Sequence, residues 1–277
     1  MTNNKIIISF LDSFLEQVII FVRLSRAMKE EQFYQNIQNA LENLPENFSV
    51  LEERIEIEVQ MKYFEFSKNI RGKNIAAECF ENREQLLDSE VDIERKKEIL
   101  SAIATVDDVK AYRAIEAFVK NNEGDIKQWA VLAFQESRML IQSSLLEEQQ
   151  VFISTGLGGK GKKLRYYVVF INNFRNEILN NTQQKLLREE LIYELNGSQG
   201  EFESMDFMEG FSTALVMLPL NSDIKKVFQN VVDECNQYGD FLNEDMIVTN
   251  VKVLSRGEII QLLHQNKNQE LSDFEED

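Results

Sequence analysis

The stretch with the clearest chemical potential is GLGGKGKK at residues 156–163, where glycines and lysines stand close enough to offer bare backbone amides beside ammonium groups. Gly156, four intervening residues, Gly161 and Lys162 nearly complete the spacing of a phosphate-binding loop. Lys163 stands where a magnesium-ligating Ser or Thr belongs. The run that follows, Leu164–Ile171, has the β-branched and aromatic character of a strand, whereas a phosphate loop must open into a helix. Gly156, Gly158, Gly159 and Gly161 are therefore expected to form a flexible hairpin tip whose amides can approach phosphate, with Lys160, Lys162 and Lys163 supplying charge. Arg165, Tyr166 and Tyr167 follow directly and are expected to add stacking on base or guanidinium planes. The competing expectation is a solvated hairpin end, or a loop that grips an acidic patch of the same protein.

Charge isolates this stretch. The chain carries a formal net charge of −17, yet residues 149–176 hold Lys160, Lys162, Lys163, Arg165 and Arg175 and no Asp or Glu. A positive field that survives in so acidic a protein marks a contact surface. RNA and an acidic protein surface fit it equally well.

Other chemistry finds little support. His264 is the only histidine and lies in the last amphipathic stretch, away from any Cys or Ser motif. Acidic groups at Glu52, Glu53, Glu56 and Glu58, and at Asp240, Glu244 and Asp245, lack the glycine-bearing spacing of a calcium loop and read as solvated faces and turns. Cys79 and Cys235 stand far apart, which points to a reduced, cytoplasmic setting. No catalytic residue, metal ligand or cofactor is expected. Residues Ile6–Leu24 are apolar enough to suggest a membrane span, but Asp12 and Glu16 would each cost roughly 3 kcal/mol near a bilayer centre, so a buried soluble helix is expected.

The elements that must position the loop change period near Gln150. With 43% apolar and 28% charged residues, two prolines and eleven glycines, the composition is that of a globular, helix-favouring chain. Helices are predicted over 5–24, 26–44, 48–69, 73–87, 91–104, 107–121 and 125–147, with N-caps at Asp107 or Asp108 and at Asp125. The alternation Ile55, Ile57, Val59, Met61 fits a strand as well. Arg138, in the polar run 135–138, is expected to brace the junction with the second half. Beyond 150, strands are predicted at Val151–Thr155, Leu164–Asn172, Glu201–Met208, Phe211–Leu218 and Met246–Leu254, and helices at Thr182–Leu195, Ser222–Gln237 and Arg256–Gln265.

Two resemblances follow. The stripes Ala111, Ala114, Ile115, Phe118 and Trp129, Leu132, Ala133, Leu140 make residues 107–145 resemble a HEAT-like helix pair, a family whose stacked repeats bind proteins or nucleic acid. Without the first strand, the β-α-β-β-α-β order after 150 resembles a ferredoxin-like sandwich, in which pairing by 151–155 would displace a neighbour or form a protruding ribbon. The fold class expected is α+β: a helical HEAT-like domain at 1–148, a ferredoxin-like domain at 149–268 and a mobile acidic tail at 269–277. The function expected is a non-catalytic adaptor with a protein partner and an RNA or acidic surface held by 156–167, with no membrane contact. The rivals are a nucleotide-dependent phosphotransferase using Lys162 and a structural subunit of a larger assembly.

Overall fold

The computed structural model describes residues 48–147 and 151–273, so the helices expected at 5–24 and 26–44 lie outside the described residues. The fold is α+β. It begins with a short strand β1 (Phe48–Val50), followed by helices α1 (Ile57–Lys73), α2 (Ala76–Glu81), a 3-10 turn at Arg83–Leu87, α3 (Ile93–Ile103), α4 (Val109–Asn121) and α5 (Asp125–Leu146). Strands β2 (Val151–Ile153), β3 (Gly159–Lys160) and β4 (Lys163–Asn172) lead to α6 (Asn181–Gly197), β5 (Glu201–Met208) and β6 (Phe211–Pro219). Helix α7 (Ile224–Asn236), strand β7 (Leu242–Thr249) and helix α8 (Arg256–Asp273) complete the described chain.

The helices form where periodicity and caps agree. Asp108 accepts from the Lys110 amide and Asp92 from the Glu94 amide, each relieving an orphan donor at a helix start. Asn180 and Gln183 close a reciprocal capping box on α6. Asp125 is not the cap expected of it: it is the first helical residue, and Gly124 holds the cap position. The helices bury Ile99, Ile103, Ile115, Phe118, Trp129 and Leu132 in one core. Of the stripe residues, Ala114 is only partly buried, and Trp129 meets Tyr63 and Phe66 edge-on at 5.2 and 5.3 Å.

The polar run in α5 is occupied by Glu136 rather than Arg138, which is exposed. The wholly buried Tyr63 donates its hydroxyl to Glu136 at 2.6 Å, Ser67 donates at 3.2 Å, and Arg71 pairs with the same carboxylate. Burial, reinforced by the Glu136 charge, pushes the Tyr63 phenol well above its ordinary value, so it stays a neutral donor. These contacts tie α1 to α5.

Two other expectations fail at α1 and α2. The helix predicted over 48–69 starts nine residues late because Phe48–Val50 is taken into parallel pairing with Val151–Ile153, and Glu56 keeps an extended ψ of 133°. The helix predicted over 73–87 breaks at Asn82 into α2 and the 3-10 turn. At the other end, α8 continues to Asp273 through much of the tail expected to be mobile.

The sheet runs β7-β4-β6-β5, with every neighbouring pair antiparallel. Strand β4 is central because it is apolar on both faces: Leu164, Tyr166, Val168 and Phe170 face α6 and α7, while Tyr167 and Val169 face Ile259 of α8. The short β3 pairs with Leu164 and Lys163 on the same edge that β7 uses further along, from Tyr167 to Asn172. Of the two outcomes expected for 151–155, displacement of a sheet neighbour does not occur; residues 151–153 lie outside the five-stranded sheet and pair with β1 in a two-stranded ribbon.

That β1–β2 ribbon belongs to both cores. Val50 and Ile153 pack with the sheet and its helices, and their neighbours Leu51 and Phe152 pack with α1–α5. The side chain of Gln60 adds a polar link, donating to the carbonyls of Ile55 at 2.8 Å and Thr155 at 3.3 Å.

The two cysteines report on this coupling. Cys79 is buried among the helices and Cys235 among the sheet helices, and burial pushes the Cys235 thiol up to about 12 and the Cys79 thiol up from its ordinary value. In native protein neither should react with a thiol reagent at neutral pH. In a urea series, both should become reactive at one midpoint, measured by mass spectrometry of labelled peptides; two separated midpoints would show that the cores unfold independently.

Candidate functional site

Lys160, Gly161, Lys162 and Lys163 make the tight turn between β3 and β4, with Lys160 paired opposite Lys163. The turn is not loose. Its Gly161 carbonyl accepts from the Val50 amide at 3.1 Å, and its Lys162 carbonyl accepts from the Leu220 amide at 3.3 Å. The result is a rigid ledge that carries Lys160 and Lys162 outward, both exposed, with the Lys162 ammonium 5.1 Å from the centroid of the Phe48 ring.

The glycines before the ledge are packed, not flexible. A Cβ at Gly156 would overlap the carbonyl oxygen of Val251, and one at Gly158 would lie 2.6 and 2.7 Å from the carbonyls of Glu53 and Glu52. Gly158 also holds a φ of +66°, which a Cβ disfavours. Gly159 lies against the Lys163 carbonyl and Val50. The amides that a phosphate would need are already used: Leu157 N–H donates to Asn250, Gly158 N–H to Thr155 and Gly159 N–H to Leu51, at 3.0, 3.1 and 2.9 Å. With a strand following, the phosphate-loop geometry has no basis here.

Several of the side chains expected to bind are likewise committed. Arg165 makes a two-pronged pair with Glu203 at 2.6 and 2.8 Å and donates a third bond to the Leu157 carbonyl at 2.6 Å. Lys163 pairs with Glu201 at 2.6 Å and holds that carboxyl below its ordinary value. Tyr166 and Tyr167 are buried on opposite faces of β4, so neither ring can stack on a ligand. Tyr167 donates to the Leu254 carbonyl at 3.3 Å instead, and burial pushes its phenol up. Arg175 falls at the far end of β4, roughly 30 Å away at a strand's rise per residue. The linear run of cations therefore resolves into Lys163 and Arg165, half-buried against Glu201 and Glu203, and Lys160 and Lys162, exposed on the turn.

Beside the ledge is a cleft of about 690 Å³, lined by Phe48, Lys160–Lys163, Gln199 and Pro219–Asn221. A second depression of about 790 Å³ shares Gln199, Pro219 and Asn221 with it and continues past Tyr193, Glu194, Asp223, Lys226 and Asn230. Gln199 stands between the two in the left-handed conformation, φ 57°, just beyond the end of α6. Glycine or asparagine usually occupies that place, and a longer side chain there costs about 1 kcal/mol. Sequence reasoning missed these neutral residues, because only their position at the β5 and β6 loop ends brings them to the lysines. In the sequence Ser198–Gln199 and Asn221–Ser222 read only as loop residues, with nothing local to tie them to the basic turn.

Among the described residues, no group of three or more His, Cys, Asp or Glu side chains is placed to hold a metal ion, and His264 is exposed. No described helix is long and apolar enough to cross a membrane.

No protein-family model matches the chain, and no curated protein does either. Among solved structures, a chain described as a "putative transposase" from Deinococcus radiodurans R1 is similar over 39% of this chain and 91% of its own, at 15% identity and a TM-score of 0.30.

The packing of the glycines sets an order of substitution costs. Gly156→Ala and Gly158→Ala are each expected to lose at least about 2 kcal/mol in urea unfolding, because backbone must move. Gly161→Ala, with φ +61° but open space around it, should lose only about 1 kcal/mol. Equal small losses at all three positions would contradict the packed loop.

Proposed function

We propose that this protein is a non-catalytic adaptor whose lysine ledge and adjoining cleft hold an anionic partner. The observation that carries the reading is the placement of Lys160 and Lys162, exposed at the rim of a 690 Å³ cleft in a protein of net charge −17. Lys163 and Arg165 neutralise Glu201 and Glu203 beside them, which removes nearby repulsion of an incoming anion. The strand order β7-β4-β6-β5, with α6 and α7 on one face, supports a ferredoxin-like reading of the second half. The antiparallel succession of α4 and α5 around Ala111, Ile115, Phe118, Trp129 and Leu132 supports the HEAT-like reading of residues 107–145. On that side Leu87, Ile93 and Val109 are exposed apolar side chains suited to a protein partner. The setting proposed is the cytoplasm.

The test is a pull-down with the full tagged chain and a Lys160→Ala/Lys162→Ala variant, with and without nuclease, analysing RNA and protein together. Recovery of an anionic partner should fall in the variant and fall further for both proteins as salt rises. Equal recovery by the two proteins at every salt concentration would overturn the assignment.

A further inference from the structure

We infer that the two depressions form one trough that binds single-stranded nucleic acid, with phosphates at the lysines and bases over Gln199 and Asn221; this rests on the anion-binding reading of the ledge. The depressions are neighbours that share Gln199, Pro219 and Asn221 in their linings. Each depression has cations in its lining, Lys160, Lys162 and Lys163 in one and Lys226 in the other, so a backbone laid across both meets positive charge twice. Side-chain amides lie between them and can donate to and accept from base edges. Ring surface is present at Tyr193, which lines the second depression and is 71% exposed on α6. Aromatic faces of this kind support sequence-tolerant stacking of unpaired bases.

Two further features favour a nucleic acid over an acidic peptide. Glu194 and Asp223 line the far portion of the trough, where they can accept from exocyclic amino groups of bases, groups that a run of acidic side chains does not offer. Glu194 already accepts from Asn230 at 3.2 Å, and Asp223 from the Lys226 amide at 3.0 Å, so both carboxylates are held in place. The second feature is Gln199. Its left-handed backbone would be eased by glycine, yet a long amide side chain is placed there, at the centre of the trough.

The experiment is fluorescence anisotropy on the full chain with labelled mixed-sequence oligomers of about eight nucleotides, run beside a duplex of equal length and a polyglutamate peptide. The ribo- or deoxy-oligomer should bind more tightly than duplex or peptide, and whichever of the two binds better identifies the natural source. Tyr193→Ala and Lys226→Ala should each weaken binding at least about fivefold. Gln199→Gly should weaken it while holding or raising the thermal midpoint, a combination that general loss of folding cannot give. Lys160→Ala/Lys162→Ala should reduce the slope of log affinity against log salt by about 1.4. If that double variant loses affinity but the Tyr193, Lys226 and Gln199 variants do not, the trough is overturned and the ledge stands. Binding of polyglutamate but not of single strands would overturn the trough in favour of an acidic peptide, and failure of every anion to bind would remove the ledge as well.

Discussion

The close passage of the backbone at Gly156 and Gly158 is the constraint on which the remainder of the structure depends. At Gly156 the chain touches the carbonyl of Val251 after β7, and at Gly158 it touches the carbonyls of Glu52 and Glu53 after β1. Three segments remote in sequence are thereby brought within backbone contact, which no side chain larger than hydrogen permits. The amides of 157–159 close this node by donating to Asn250, Thr155 and Leu51. From it β4 is launched in register with β6, and the ribbon of β1 and β2 is set between the two cores. Arg165 locks the node from the sheet side, binding Glu203 and the Leu157 carbonyl together.

The same node determines what the basic stretch can do. A flexible glycine tip would let any lysine swing towards a ligand. A fixed one assigns each cation a direction, and here β4's alternation turns Arg165 towards Glu203 while the tight turn carries Lys160 and Lys162 outward. Charge on this surface is thus partly internal. The cleft beside the turn is built from the ends of β5, β6 and α6, so its shape follows from the antiparallel register of the sheet.

Much of the sheet was legible because β-branched and aromatic runs such as Tyr166–Ile171 have no helical alternative, and Glu201–Met208 was placed at its observed ends. Phe48–Val50 was not, because three residues carry no period; only pairing with Val151–Ile153 makes them a strand. Glycine suggests mobility in the sequence where the fold uses it for close approach, since both demands select the same residue and differ only in what lies opposite. Tyr166 and Tyr167 were read as ligand-facing, but adjacent strand residues point to opposite faces and both faces are covered here. The neutral members of the cleft, Gln199 and Asn221, had no local signal because their association with the lysines arises only from tertiary packing.

The most direct measurement of this account is hydrogen–deuterium exchange of the native chain, resolved to single amides across 156–163. The packed node predicts strong protection at Leu157, Gly158 and Gly159, whose amides donate to backbone carbonyls. Exchange at 157–159 as fast as in the unfolded chain would contradict it and restore the picture of a mobile loop.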